Sequence, residues 1–99
     1  MARRSIPKAP EGLSPAARKT WATVNRTFIL EPHQLELLAV ALRARDLADA
    51  CQAQIDQEGL TIAGAKGCVA HPLLAVMRDA RNSFSQNWRR LDLHLGGDS

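Results

Sequence analysis

The chain has 99 residues, a net charge of +3 and an ordinary apolar content of 45 %. This length allows one domain with a modest core. The two cysteines do not make a disulfide framework and favour a reducing cytoplasm. No apolar run approaches a membrane span or a signal-peptide core, so no membrane partner is predicted.

The charges are distributed unevenly along the chain. Residues 1–26 carry six cationic side chains and one acidic side chain, a net charge of +5. Residues 27–63 carry two cations against six acids, which is −4, and residues 64–99 carry five against three, which is +2. A basic start on an acidic middle favours a polyanion partner at the N-terminal end, and a merely solubilising arm is an equal alternative.

Three regions make up the predicted domain organisation. Residues 1–12, MARRSIPKAPEG, contain prolines, a glycine and no apolar period, so we expect a disordered basic arm. Residues 13–95 form a single helical core and oligomerisation domain. Residues 96–99 form a frayed tail.

The first predicted helix spans about 15–29. Ser14 is a good N-cap and Pro15 suits the first helical position. Apolar residues then recur at helical spacing on one side, and Lys19 and Arg26 lie on the opposite side. The apolar positions are Ala17, Trp21, Val24 and Phe28.

The second predicted helix spans about 32–58, roughly 40 Å at the helical rise. It would overhang a compact domain of this size, whose radius of gyration is near 13 Å. It has two apolar stripes where a monomeric surface helix normally has one. We therefore expect one face inside the subunit and the other at a subunit interface, although the two other helices could cover both. The predicted interface residues are Leu35, Leu37, Leu38, Val40, Leu42 and Leu47.

The third predicted helix spans about 72–93. It begins at His71-Pro72 and carries one apolar stripe close to a coiled-coil period. Its outer face carries arginines. The stripe comprises Leu73, Val76, Met77, Ala80, Phe84, Trp88 and Leu91, and the outer arginines are Arg78, Arg81 and Arg89.

Residues 59–67, GLTIAGAKG, approach the nucleotide-binding pattern G-x-x-x-x-G-K-[ST]. Ala65 occupies the lysine position, and Lys66 is followed by Gly67 where Ser or Thr is required. The stretch also follows a predicted helix, not a buried strand. We therefore predict the glycine turn of a short β-hairpin over about 60–70. Isolated hairpins are marginal in water, so it should lie against the helices or join a neighbour's strands.

Residue types that carry catalysis or bind metals occur without the spacing that such sites need. No C-x-x-C or H-x-x-x-H pattern is present, and neither cysteine has a visible His and acid partner. We therefore predict no catalytic residue, no metal, no cofactor and no enzymatic activity. The side chains considered are Cys51, Cys68, His33, His71 and His94.

A short break between the first two helices invites comparison with a helix-turn-helix. The recognition helix of that motif presents polar and basic side chains to the major groove. The second helix begins instead with EPHQLELLAVAL, which is acidic and apolar, so phosphates would repel it. The arm and the exposed side of the first helix are better candidates for DNA contact. Their cations are Arg3, Arg4, Lys8, Arg18, Lys19 and Arg26.

The layout of residues 12–95 is similar to that of the phage small terminase subunits of the P27 family. The similarity lies in LSPAARKTW, the long leucine-rich second helix, and the HP that precedes LLAVMRDARNSFSQNWRRLDL. It implies a non-enzymatic protein that forms a homo-oligomeric ring in the cytoplasm of the infected bacterial host. Its partners would be viral double-stranded DNA and the large terminase subunit, whose ATPase and nuclease start genome packaging.

Two other functions fit the sequence. One is a small dimeric DNA-binding regulator with a defined half-site spacing. The other is a protein-interaction adaptor without a nucleic-acid partner.

Overall fold

The computed structural model describes residues 5–93 and contains three helices and a two-stranded hairpin. The order along the chain is α1 (Pro15–Thr27), α2 (Pro32–Glu58), β1 (Thr61–Gly64), β2 (Gly67–Ala70) and α3 (Leu73–Leu91). The predicted fold class is confirmed, and each helix boundary lies within two residues of its prediction. None of the described helices is long and apolar enough to cross a membrane.

Prolines and capping side chains define the helix starts. Ser14 Oγ accepts the backbone N–H of Ala17 at 3.0 Å, and Pro15 follows in the first turn. Glu31 and Gln34 form a capping box at the start of α2, where the Gln34 side chain accepts the Glu31 N–H at 2.8 Å. These local contacts satisfy N–H groups that a helix leaves without intrahelical partners.

The hydrophobic core is divided into two clusters along α2. The head cluster joins α1, the first half of α2 and the end of α3 through Leu13, Ala17, Trp21, Val24, Leu38, Leu42 and Leu91. The stalk cluster joins the second half of α2 to the first half of α3 through Ala48, Cys51, Ile55, Met77 and Ala80. Because the end of α3 meets the beginning of α2, the two helices are antiparallel.

The molecule is elongated, as the length of α2 predicts. Its principal extents are 66 × 28 × 20 Å and its radius of gyration is 17.3 Å. A compact domain of this size has a radius near 13 Å. Since α1 packs on the head alone, the stalk consists of two helices. Two helices leave more surface exposed than three, and Leu47 and Val76 keep 49 % and 40 % of their surface accessible.

The hairpin projects from the far end of the stalk. Its strands pair antiparallel from Thr61 with Ala70 to Gly64 with Gly67, and Gly67 has a φ of 118° in the turn. Nearly all of its residues are exposed, so it does not lie against the helices. The GLTIAGAKG segment thus forms a strand and a turn of this hairpin, whereas a P-loop would lead from a strand into a helix.

A contact between α1 and α2 fixes the first helix on the head. Both oxygens of Asp46 accept hydrogen bonds from Ser14, one from the backbone N–H at 2.8 Å and one from the hydroxyl at 2.6 Å. The hydroxyl therefore donates to Asp46 while its oxygen caps α1. One serine joins the start of α1 to the middle of α2.

Replacing Ser14 with alanine removes the cap and one of the Asp46 contacts. We expect the free energy of unfolding to fall by about 1–2 kcal/mol. Urea unfolding at fixed protein concentration measures the change. Thr23→Ala is the matched control, because its exposed hydroxyl donates to the Lys19 carbonyl within α1 and to no other group in residues 5–93. Equal losses in the two variants would contradict the role of Ser14.

Candidate functional site

The exposed side of α1 carries only positive charge. Arg18, Lys19 and Arg26 are exposed, and α1 contains no Asp or Glu. These three residues, the cationic face, lie within about 100° of the helix circumference at 100° per residue. The buried residues Ala17 and Trp21 lie outside that arc. The helix therefore separates core contacts from charge.

The cationic face is long enough to meet several phosphates. Arg18 and Arg26 are eight residues apart, which is about 12 Å along the helix axis. Duplex DNA carries one negative charge per ~1.7 Å of its axis. Within residues 5–93 the acid–base side-chain contacts are the Arg78–Asp79 ion pair and the His71–Glu58 hydrogen bond, and neither involves the cationic face. Its charges are thus available to an external partner.

A further cation approaches α1 from α2. One terminal nitrogen of Arg45 donates to Thr20 Oγ1 at 3.2 Å, and Thr20 follows Lys19 in α1. Arg45 was not among the predicted DNA-binding residues. In the sequence, Arg45 belongs to the acidic middle of the chain. No sequence pattern indicates that position 45 lies next to position 20, so its place beside α1 could not be predicted.

The predicted cations of the arm are only partly described. Arg3 and Arg4 lie outside the described residues. Lys8 is exposed and follows Pro7, whose carbonyl accepts the indole N–H of Trp21 at 2.8 Å. Residues 5–12 contain no helix or strand, but Ala9 packs against the head cluster. Disorder of the whole arm stays a prediction.

The predicted interface residues of α2 are divided between the interior and the surface. Leu38 and Leu42 have no exposed surface because they are enclosed by the head cluster, so we correct their assignment to the interface. Leu35 and Leu37 are half-buried against the same cluster. Val40 and Leu47 keep 46 % and 49 % of their surface exposed.

Val40, Ala44 and Leu47 follow one another at helical spacing and form an apolar strip, which is available for a neighbouring subunit. Cys51 and Ile55 continue the same helical spacing along α2 but do not extend the strip, because both are buried in the stalk cluster. Self-association itself stays a prediction.

His71 joins the end of α2 to the start of α3. Its side chain is 4 % exposed; Nδ1 accepts the Leu73 N–H at 3.1 Å, so the ring proton lies on Nε2, 2.6 Å from Glu58 Oε1. The His71 backbone N–H also donates to the Leu60 carbonyl at 2.8 Å. These bonds close the base of the hairpin, a role that the sequence did not indicate.

The predicted metal-binding candidates are not brought together in the described part of the chain. Cys51 is buried in the stalk cluster, and Cys68 is exposed on the hairpin. Residues 5–93 contain no group of three His, Cys, Asp or Glu side chains that could hold a metal ion, and no pocket. His94 lies outside the described residues. The candidate functional features of the described residues are therefore exposed surfaces.

The fold and these surfaces define an elongated helical protein with a cationic face on its head, an apolar strip on its long helix and an exposed hairpin. The family described as "Phage terminase, small subunit" matches residues 17–94 of the chain. The chain belongs to this family, which has a role in phage genome packaging in the host cytoplasm. Searches of curated proteins and of solved structures gave no match.

The Glu58–His71 contact should make the stability of the protein depend on pH. Hydrogen bonds from His71 and then from Gln54 lower the pKa of Glu58 below its ordinary value of 4.5. A carboxylate whose folded-state pKa is depressed stabilises the protein above its unfolded pKa, and this contribution is lost as the pH falls through the folded pKa. The advantage of the wild type over Glu58→Gln should therefore be complete well above pH 4.5 and shrink as the pH falls below 4.5 and through the lowered pKa of Glu58.

Urea unfolding of both proteins across this range is the measurement. Glu36→Gln is the control, because the Glu36 side chain is exposed on α2 and makes no hydrogen bond to another described residue. A difference between the wild type and Glu58→Gln that stays constant with pH would contradict the role of the carboxylate.

Proposed function

We propose that the protein is a non-enzymatic scaffold of phage genome packaging. It forms a homo-oligomeric ring, binds viral double-stranded DNA and recruits or stimulates the large terminase subunit, which supplies ATPase and nuclease activity. The observation that carries the DNA-binding part is the cationic face, with three exposed cations and no acid on one helix. Family membership supports the packaging role.

DNA contact through the cationic face is an electrostatic mechanism. Lys and Arg side chains neutralise phosphates and release counterions, so binding depends on salt and little on sequence. Trp21 is 5 % exposed and belongs to the head cluster, so base stacking on its ring has no part in the proposal. The beginning of α2 is unsuitable as a recognition helix, because Leu38 and Leu42 are buried and Glu31 and Glu36 are exposed.

Assembly would use the surface that the stalk and α2 leave exposed. The apolar strip of Val40, Ala44 and Leu47 lies on the helix that joins head and stalk. Burial of apolar surface stabilises an interface by about 25 cal/mol per Å², which favours association of such strips. The hairpin is a second candidate contact, since a two-stranded sheet is marginal alone and its outer edges have unpaired backbone groups.

The first test removes the cationic face. Arg18→Ala/Lys19→Ala/Arg26→Ala should weaken binding to duplex DNA and leave assembly intact. The slope of log K against log salt should become shallower by up to about 2.7, at ~0.9 per phosphate contact. Fluorescence anisotropy at several salt concentrations measures this change.

The control changes the net charge equally on another helix. Arg78→Ala/Arg81→Ala/Arg89→Ala removes three exposed cations of α3. Its salt slope should stay near that of the wild type. Unchanged DNA binding by the α1 variant at low salt would exclude the cationic face as the binding surface.

The second test addresses the apolar strip. Val40→Glu/Leu47→Glu places two charges on the proposed interface and should reduce the oligomer mass measured by light scattering, with an unchanged helical circular dichroism spectrum. Ile29→Glu is the control, because Ile29 is 79 % exposed and precedes α2. Equal oligomer mass in all three proteins would remove the strip from the interface. A wild-type dimer would favour the DNA-binding regulator.

A further inference from the structure

Residues 5–12 turn back towards α1. Glu11 and Gly12 form a turn, and Gly12 has a φ of 89°, a left-handed conformation that glycine adopts without strain. Leu13 is 3 % exposed on the far side of the turn. Ala9 and Pro10 are half-buried before it. The chain therefore reverses direction where it enters α1.

One hydrogen bond holds the returning segment. The indole N–H of Trp21 donates to the carbonyl of Pro7 at 2.8 Å, across 14 positions of sequence. The Trp21 ring is 5 % exposed, so its N–H needs a partner within the protein. The Pro7 carbonyl is that partner. Ala9, two residues after Pro7, packs against the head cluster.

This anchor sets the position of a charge. Lys8 directly follows Pro7 and is exposed. Arg18 is three residues before Trp21, and residues three apart are neighbours on a helix surface. A segment fixed at Trp21 thus holds Lys8, which is adjacent to the anchored Pro7, beside the edge of the cationic face that Arg18 forms.

We propose that Trp21 is a positioning residue, which fixes residues 5–12 against α1 so that Lys8 and the cationic face form one preorganised surface for a polyanion. This inference rests on the proposed function, in which that polyanion is duplex DNA. Fixing the segment before DNA arrives lowers the conformational entropy lost on binding. The Trp21 ring itself does not contact DNA.

The test uses the full chain and makes two separate measurements, one of how firmly residues 5–12 are held and one of DNA affinity. Trp21→Phe keeps an aromatic ring in the head cluster and removes the N–H donor. Trp88→Phe is the matched control: Trp88 is the other tryptophan, also packs on the head cluster, and contacts Phe84 at 5.5 Å between ring centroids. Unfolding midpoints of both variants are measured alongside.

The anchor is tested without DNA. Trypsin needs an accessible extended segment around the Lys8–Ala9 bond, so release of the segment from α1 should speed the cut after Lys8, which mass spectrometry follows. Loss of one net hydrogen bond corresponds to a change of about five-fold in the open population. We expect cleavage of Trp21→Phe to be faster by about this factor and that of Trp88→Phe to match the wild type.

A second variant acts from the other end of the segment. Gly12→Ala strains the turn, because alanine disfavours a φ of 89°, and nothing lies within 4 Å of the added methyl group. It changes no group in the core. It should also speed cleavage after Lys8, so the anchor stays testable if Trp21→Phe loses its fold.

DNA binding is then measured with a fluorescent duplex at low salt. Trp21→Phe and Gly12→Ala should bind about three- to ten-fold more weakly than the wild type, and Trp88→Phe should bind equally well. Cleavage rates equal to the wild type in both anchor variants would overturn the anchor. Faster cleavage with unchanged DNA affinity would overturn the positioning role and leave the proposed function intact. A wild type that binds no duplex would overturn the proposed function and this role together.

Discussion

The structure depends on one geometric constraint, the length of α2. A helix of 27 residues is about 40 Å long, and a domain of 99 residues cannot surround it. The core is therefore divided into a three-helix head and a two-helix stalk, and α3 packs along both. Ser14 and Asp46 fix α1 at one end, and His71 and Glu58 close the hairpin at the other.

This division separates the surfaces that the proposed scaffold needs. The cationic face lies on α1 in the head, the apolar strip lies on α2, and the hairpin lies at the tip of the stalk. A DNA contact through the head can thus occur without covering the hairpin. In a ring, neighbouring subunits would bury the strips and repeat the cationic face around the assembly. Repetition would add many weak phosphate contacts, each of them electrostatic.

Much of the fold could be predicted from the sequence because its signals are local. Prolines near each helix start, the Ser14 cap and apolar periodicity set the helix boundaries, and the glycines of AGAKG set the hairpin turn. The partners of side chains across the fold could not be predicted. Asp46 with Ser14, Arg45 with Thr20, and Pro7 with Trp21 join residues 14 to 32 positions apart, and no spacing pattern encodes them.

The inability to predict long-range partners also explains why some leucines of α2 were wrongly predicted to lie at the interface. Periodicity shows that Leu38 and Leu42 share a face, but α1 and the end of α3 decide that this face is interior. Exposure then leaves Val40 and Leu47 as the candidates for assembly. On the cationic face, periodicity and structure agree, because α1 has only one apolar side.

Native mass spectrometry of the unmodified chain at moderate salt tests the scaffold most directly. The account predicts a single closed species of many subunits. In such an assembly the apolar strip of α2 is buried between neighbouring subunits. A monomer over the whole accessible concentration range would contradict it. The strip would then be ordinary exposed surface of an elongated subunit.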